Sequence, residues 1–200
     1  MKILNLYAGI GGNRKLWGSE HEITAVESEQ YIPDVYKELY PNDTVVVGDA
    51  HQYLLDHYEE YDFIWSSPPC PTHSKMSTVS VARGRRQYPD MALYQEILWL
   101  KHFFKGIWVV ENVKSFYTPL IQPEAVVDRH FIWSNKPIRD QKFTRIYFGS
   151  VTDQTIGSLS AAYGIRLPVN TKSKRKLLRN AVFPPMGQYV LNQVTTNREI

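Results

Sequence analysis

The chain has 200 residues, of which 43% are hydrophobic, 22% charged and 13% aromatic, with a net charge of +3 and one cysteine. That is one globular domain's worth of sequence with enough apolar residues for a core, which excludes disordered, collagenous and repeat architectures; the apolar runs are too short to span a bilayer. A lone cysteine excludes an intramolecular disulfide, and the first residues turn polar and glycine-rich before a signal-peptide core develops, so a soluble, cytoplasmic protein is expected.

In chain order, β-rich apolar runs predict strands at 3–7, 23–26, 44–47, 63–65 and 106–110, with two more at 131–133 and 145–148. Helical spacing predicts helices at 33–40, 50–58 and 91–104, where Leu93, Ile97, Leu98, Leu100 and Phe104 fall largely on one stripe. Segments 173–178 and 186–194 read as closing helices around the Phe183-Pro184-Pro185 break. The alternation is that of βαβ units. Runs such as Val45-Val46-Val47 and Ile107-Trp108-Val109-Val110 are continuous, as in parallel strands covered on both faces. The fold class is therefore α/β, a Rossmann-like, mostly parallel sheet with helices on both faces.

The residues just past each strand are more informative than the strands. Strand one runs into Ala8-Gly9-Ile10-Gly11-Gly12 and a predicted helix, strand two into Glu27, strand three into Gly48-Asp49, strand four into Pro68-Pro69-Cys70, and strand five into Glu111-Asn112. In open α/β sheets ligands bind outside these carboxyl ends, so one crevice is expected to gather Glu27, Asp49, Cys70 and Glu111. The order G-x-G-G is either a tight βα turn or a backbone approach to a nucleotide-like ligand. Glu27, about twenty residues on, suits both hydroxyls of a ribose. Asp49 reads as an adenine contact, a helix N-cap, or both. Three prolines stiffen the loop around Cys70, which favours an aimed nucleophile over a buried small hydrophobe, with His73 a candidate partner for the thiolate. Partial desolvation of Glu111 at a strand end would let it donate a proton to a ring nitrogen while a thiolate attacks the neighbouring carbon. Basic clusters at Arg83, Arg85 and Arg86 and at Lys172, Lys174, Arg175, Lys176 and Arg179 read as solvated faces or as phosphate contacts.

With those residues in order, the chain resembles the cytosine-5 DNA methyltransferases, especially the compact forms of bacteriophages and prophages. Tyr7-Ala8-Gly9-Ile10-Gly11-Gly12 is similar to their first motif, Glu27 to the ribose-binding acid, and Gly48-Asp49 to the adenine-contacting third motif. Pro68-Pro69-Cys70 is similar to the catalytic motif, Glu111-Asn112-Val113 to E-N-V, Arg129-His130 to part of the eighth motif, and Asn180-Ala181-Val182 with Pro184 to the tenth. The resemblance implies an S-adenosylmethionine-dependent methyltransferase acting on cytosine in DNA in a bacterial or phage-infected cell, with Cys70, Glu111 and Arg129 catalytic. It implies a cofactor site of Tyr7, Ala8, Gly9, Ile10, Gly11, Gly12, Glu27, Asp49, Ala50, Pro69, Asn180 and Ala181. It also implies DNA contacts from Ser74, Arg83, Arg85, Arg86, Lys174 and Arg175, and no metal or membrane.

The chain departs from that pattern at Phe131, where a second arginine is usual, and at Arg179, which replaces the glycine before Asn180. Arg179 reads as structural, as a phosphate contact, or as a contact to an acidic cofactor variant, with the structural reading preferred. The expected organisation is one catalytic domain over 1–200, with a much reduced target-recognition region at about 135–172, read partly as a strand and a helix. A C-terminal segment at 173–200 returns to the first strand, and a helper subunit or oligomer for target recognition is allowed for. RNA or a free nucleotide remains an alternative substrate, and a nucleic-acid-binding module on the same fold is the non-enzymatic alternative.

Overall fold

The computed structural model describes residues 1–74, 88–144 and 155–196. Its strands are β1 (Lys2–Leu6), β2 (Glu22–Glu27), β3 (Thr44–Val47), β4 (Phe63–Ser66), β5 (Ile107–Val113), β6 (Ala125–Val127) and β7 (His130–Ser134). They form one sheet in the order β3-β2-β1-β4-β5-β7-β6. The first five strands run parallel, β7 is antiparallel to β5, and β6 is antiparallel to β7. The helices are α1 (Tyr31–Leu39), α2 (Ala50–His57), α3 (Ala92–Phe103), α4 (Ile156–Tyr163), α5 (Lys174–Asn180) and α6 (Pro184–Thr195).

Strand side chains alternate between two apolar layers. On one face Leu4, Leu6, Ile64 and Val110 pack with Leu54 of α2 and Leu93, Ile97 and Leu100 of α3. On the other, Ile3, Phe63, Trp65 and Val109 pack with Trp17 and with Met186, Val190 and Leu191 of α6. The expected class, a mostly parallel Rossmann-like sheet between helices, is the observed one. α6 packs on the start of the chain: Gly187 lies against the Asn13 backbone, where a Cβ would come within 2.4 Å of the Asn13 carbonyl, and the Trp17 indole N–H donates to the Gly187 carbonyl at 3.1 Å. The two prolines that the sequence marks as a break occupy the first turn of α6, where a missing N–H costs nothing.

The structure differs from the sequence expectations in five places. The segment after the glycine turn is not an α-helix but one 3-10 turn, Asn13–Leu16. β3 is an edge strand, and although Val45 and Val46 pack on its two faces, Val47 at its end is 54% exposed. Leu98 is 57% exposed and leaves the buried stripe of α3. β6 was not expected. β5 continues three residues beyond its predicted end because β7 pairs with Glu111, Asn112 and Val113, so the acid lies within a strand and not after it. The predicted strand at 145–148 lies outside the described residues.

Candidate active site

β1 and β4 are neighbours, but the chain leaves β1 toward β2 and leaves β4 toward β5. Their carboxyl ends therefore flank a topological switch point, where an α/β sheet opens a crevice. On the β1 side lies the glycine turn. Tyr7, Gly9 and Gly11 all have left-handed backbones, with φ of 53°, 54° and 69°. At Gly11 a side chain is doubly excluded, since a Cβ would also stand 2.5 Å from the Tyr40 ring. The Tyr40 hydroxyl donates to the Gly11 carbonyl at 2.8 Å. Beneath the turn, Arg14 makes a two-pronged ion pair with Asp43 at 2.8 and 3.1 Å, and the Tyr36 hydroxyl donates to the same carboxylate at 2.9 Å. These contacts fasten the turn to α1 and the start of β3.

Two candidate cofactor elements meet this turn, and a third, Asp49, stands at the start of α2. The Gly9 N–H donates to Glu27 Oε2 at 3.0 Å, and the Ser28 N–H donates to Glu27 Oε1 at 2.8 Å, which holds the half-buried carboxylate at the end of β2. Asp49 is the N-cap of α2, accepting from the Gln52 N–H at 2.8 Å, and stands exposed beside buried Ala50. A Cβ on Gly12 would lie 2.2 Å from the Val182 carbonyl and 3.0 Å from the Ala181 side chain, so the segment after α5 is packed directly on the turn. Ala8 and Ile10 are buried beneath it, Ala181 is half-buried, and Asn180 and Arg179 are exposed at the end of α5.

On the β4 side, Pro68 is buried, Pro69 exposed and Cys70 partly buried. Asn112 fixes this loop: its amide Nδ2 donates to the Pro68 carbonyl at 2.9 Å, while its Oδ1 accepts from the Val113 N–H at 3.0 Å. Glu111, 6% exposed, accepts from the Ser67 hydroxyl at 2.8 Å, and that hydroxyl accepts from the Trp65 indole N–H at 2.8 Å. His130 Nε2 lies 3.7 Å from the other Glu111 oxygen. Burial first, and then the nearby Glu111 charge, push the Cys70 thiol above its usual range.

His73 does not supply the cation that a resting thiolate needs. Its backbone N–H donates to the Cys70 carbonyl at 3.0 Å, but its imidazole is buried with Nδ1 2.7 Å from the Tyr117 hydroxyl. Burial lowers its pKa, which favours the neutral ring. Burial and the Glu111 charge both favour the thiol form of Cys70.

Ser74 also caps the Cys70 carbonyl, with its N–H at 3.2 Å. Arg129 is exposed in the β6–β7 turn, and its neighbour His130 is the residue that reaches Glu111. Lys174 lines a cavity of about 430 Å³ with Ile156, Ser160, Ile165, Arg166 and Leu167, and Arg175 is exposed on the same helix. Arg83, Arg85 and Arg86 lie outside the described residues. Among the described residues there is no cluster able to hold a metal, and no helix is long and apolar enough to cross a membrane.

Sequence reasoning missed Ser67, the loop-pinning role of Asn112, and Glu96. The last had a legible signal, since it is a carboxylate inside the apolar stripe of α3 between Leu93 and Ile97, and it is 1% exposed.

Residues 1–121 match the family described as C-5 cytosine-specific DNA methylase. Among solved structures, the chain is similar to a mutant DNMT2 from Spodoptera frugiperda, with 21% identity and a TM-score of 0.49, over 72% of this chain and 55% of that one. It is also similar to a putative DNA modification methyltransferase encoded within an E. coli prophage, with 16% identity and a TM-score of 0.40, over 59% of this chain and 33% of that one. A third is the Entamoeba histolytica methyltransferase EhMeth, with 11% identity and a TM-score of 0.45, over 98% and 87% of the two chains. The chain thus spans about half the length of the first, at 55%, and a third of the second, at 33%. No curated protein matches it.

Proposed function

Because the chain belongs to the C-5 cytosine-specific DNA methylase family, we propose that it transfers a methyl group from S-adenosylmethionine to carbon 5 of cytosine in DNA through a covalent adduct on Cys70. The observation that carries this reading is the pairing of a thiol and a carboxylate at one crevice. Cys70 stands on a loop pinned by Asn112, and Glu111, the residue before that asparagine, bears on the thiol with its charge.

The residues on the β1 side suit the cofactor. The space over Gly9 is open, with nothing within 4 Å of a Cβ position, and Glu27 stands beside it with lone pairs left for ribose hydroxyls. Asp49 and Ala50 face an adenine, and Asn180-Ala181 and Pro69 complete the walls. When bound, the cofactor supplies an electrophilic methyl group.

The proton balance rests on the two side chains. Cys70 rests protonated, partly because the Glu111 charge opposes a second negative charge nearby. On attack, the thiol proton passes to the Glu111 carboxylate and from there to ring nitrogen 3, as the sulfur bonds carbon 6. The adduct is then neutral, and no charge accumulates on the base. After carbon 5 is methylated, water accepts its proton, the Cys70–carbon 6 bond breaks, and the nitrogen 3 proton returns through Glu111. A cytosine inside a duplex hides carbon 6, so the base must be turned out of the stack. Arg129 then contacts the exocyclic oxygen, and Ser74, Arg83, Arg85, Arg86, Lys174 and Arg175 meet phosphates. We place a reduced target-recognition region at 135–172, within one catalytic domain that includes the returning C-terminal segment.

The test is an oligonucleotide carrying a fluorine on carbon 5 of cytosine, incubated with S-adenosylmethionine and read by intact mass. Fluorine blocks the final elimination, so the reading expects a stable protein–DNA adduct that is absent with Cys70→Ala. No adduct from a chain that binds the cofactor would refute the covalent step.

A further inference from the structure

One buried carboxylate bonds to three segments of the chain that the proposed reaction uses separately. Glu96 Oε2 accepts from the Tyr7 hydroxyl at 2.9 Å and lies 3.3 Å from His51 Nδ1, while Oε1 accepts from the Ser66 hydroxyl. Tyr7 opens the glycine turn, His51 is in the first turn of α2 after Asp49, and Ser66 ends β4 directly before Ser67 and the Cys70 loop. Glu96 is 1% exposed, in the otherwise apolar face of α3. A carboxylate is costly to desolvate there, and the hydrogen bonds offset that cost only if all three partners hold their places.

A second observation points the same way. Tyr7 has φ of 53°, a left-handed backbone that a bulky residue disfavours, and its side chain is anchored at the far end by Glu96. Burial and the Glu96 charge raise the Tyr7 pKa, so the phenol stays protonated and keeps donating. The conformation of the turn that lines the cofactor space is thus tied through α3 to the end of the nucleophile's strand.

We propose that Glu96 is a positioning residue that couples the Tyr7 turn to the Cys70 loop, so that a shift in one is felt by the other. The meaning of that coupling for methyl transfer rests on the function proposed above, but the coupling itself is measurable without cofactor or nucleic acid. Cys70 is the one cysteine in the chain, so alkylation by iodoacetamide reports on its loop alone.

The experiment compares the ligand-free full chain with Tyr7→Phe, Ser66→Ala and the double variant, each of which removes only hydroxyl groups. Tyr7→Phe should change the Cys70 alkylation rate by about threefold or more, and this effect should vanish when the Ser66 hydroxyl is already gone. The change should be independent of low urea concentrations, which separates local motion of the loop from global opening. Glu96→Gln keeps one acceptor oxygen and should fall between the wild type and the double variant. The coupling is overturned if Tyr7→Phe leaves the rate unchanged, or if the two single effects simply multiply. Either result would leave the proposed reaction standing, since no step of it is read in this assay; loss of methyl transfer alone would leave the coupling standing.

Discussion

Asn112→Ala offers a worked test of how the site is held. The side chain is 1% exposed, its amide donates to the buried Pro68 carbonyl at 2.9 Å, and its oxygen accepts from the Val113 N–H at 3.0 Å. Alanine abandons both partners. A buried carbonyl left without its donor costs about 1–3 kcal/mol, and the half-buried N–H adds less, so a total of about 2–3 kcal/mol is expected. For a chain of this size that lowers Tm by roughly 4–12 °C, measured by calorimetry. The Cys70 loop should also move more freely, so alkylation of the thiol should accelerate under conditions where the chain stays folded. Asn112→Asp separates the two bonds, because it keeps the acceptor for Val113 but turns a carboxylate oxygen toward the Pro68 carbonyl. It should be at least as damaging as alanine. A Tm within about 1 °C of wild type for either variant, or an unchanged alkylation rate, would refute the assignment of Asn112 as the fastener of this loop.

Glu111→Gln should increase the Cys70 alkylation rate at fixed pH and move its pH profile to lower values, because the nearby charge that helps to raise the thiol is gone; methyl transfer should fall to background, and an unmoved profile would contradict the proposed proton path. Gly12→Ala places a Cβ 2.2 Å from the Val182 carbonyl, with backbone on both sides, and should cost about 1–3 kcal/mol in urea unfolding and weaken cofactor binding measured by calorimetry. A wild-type affinity would show that the turn and the segment after α5 are not jointly the cofactor wall. The His51 pKa is raised by its hydrogen bond to Glu96. The stabilisation from that pair is therefore present below about pH 6.5 and fades as pH rises through the raised value, so the Tm loss of His51→Gln should be larger at about pH 5.5 than at about pH 8.5; a loss equal at both would contradict the ion pair.

The first five strands were legible because each is an apolar run that stops at a turn residue or a polar side chain. That rule misplaced the end of β5. Glu111 and Asn112 look like a strand terminus, yet β7 pairs them with Ile132 and Phe131, and the pairing partner comes from later in the chain. β6 failed for the same reason, since three residues between polar neighbours make no run and acquire their extended shape by pairing with β7. β3 shows the opposite error at one residue, for Val47 reads as part of a buried run but lies 54% exposed at the end of an edge strand. At the site, Cys70, Glu111 and the glycine turn were visible as residue types in rare company. The contacts that hold them were not, because Tyr7 meets Glu96 across 89 positions and Pro68 meets Asn112 across 44, separations at which local pattern carries no information. His73 illustrates the limit: its closeness to Cys70 in sequence suggested a cationic partner, but its ring turns to Tyr117 and into the core.

The most direct test of the central claim is nucleoside mass spectrometry of DNA and RNA from a bacterial host free of cytosine methylation, expressing either the wild-type chain or Cys70→Ala. The account predicts 5-methylcytosine in DNA with the wild type and none with the variant. 5-Methylcytosine confined to RNA would contradict the choice of substrate. Its absence from both polymers, with folded chain that binds S-adenosylmethionine, would contradict the proposed reaction.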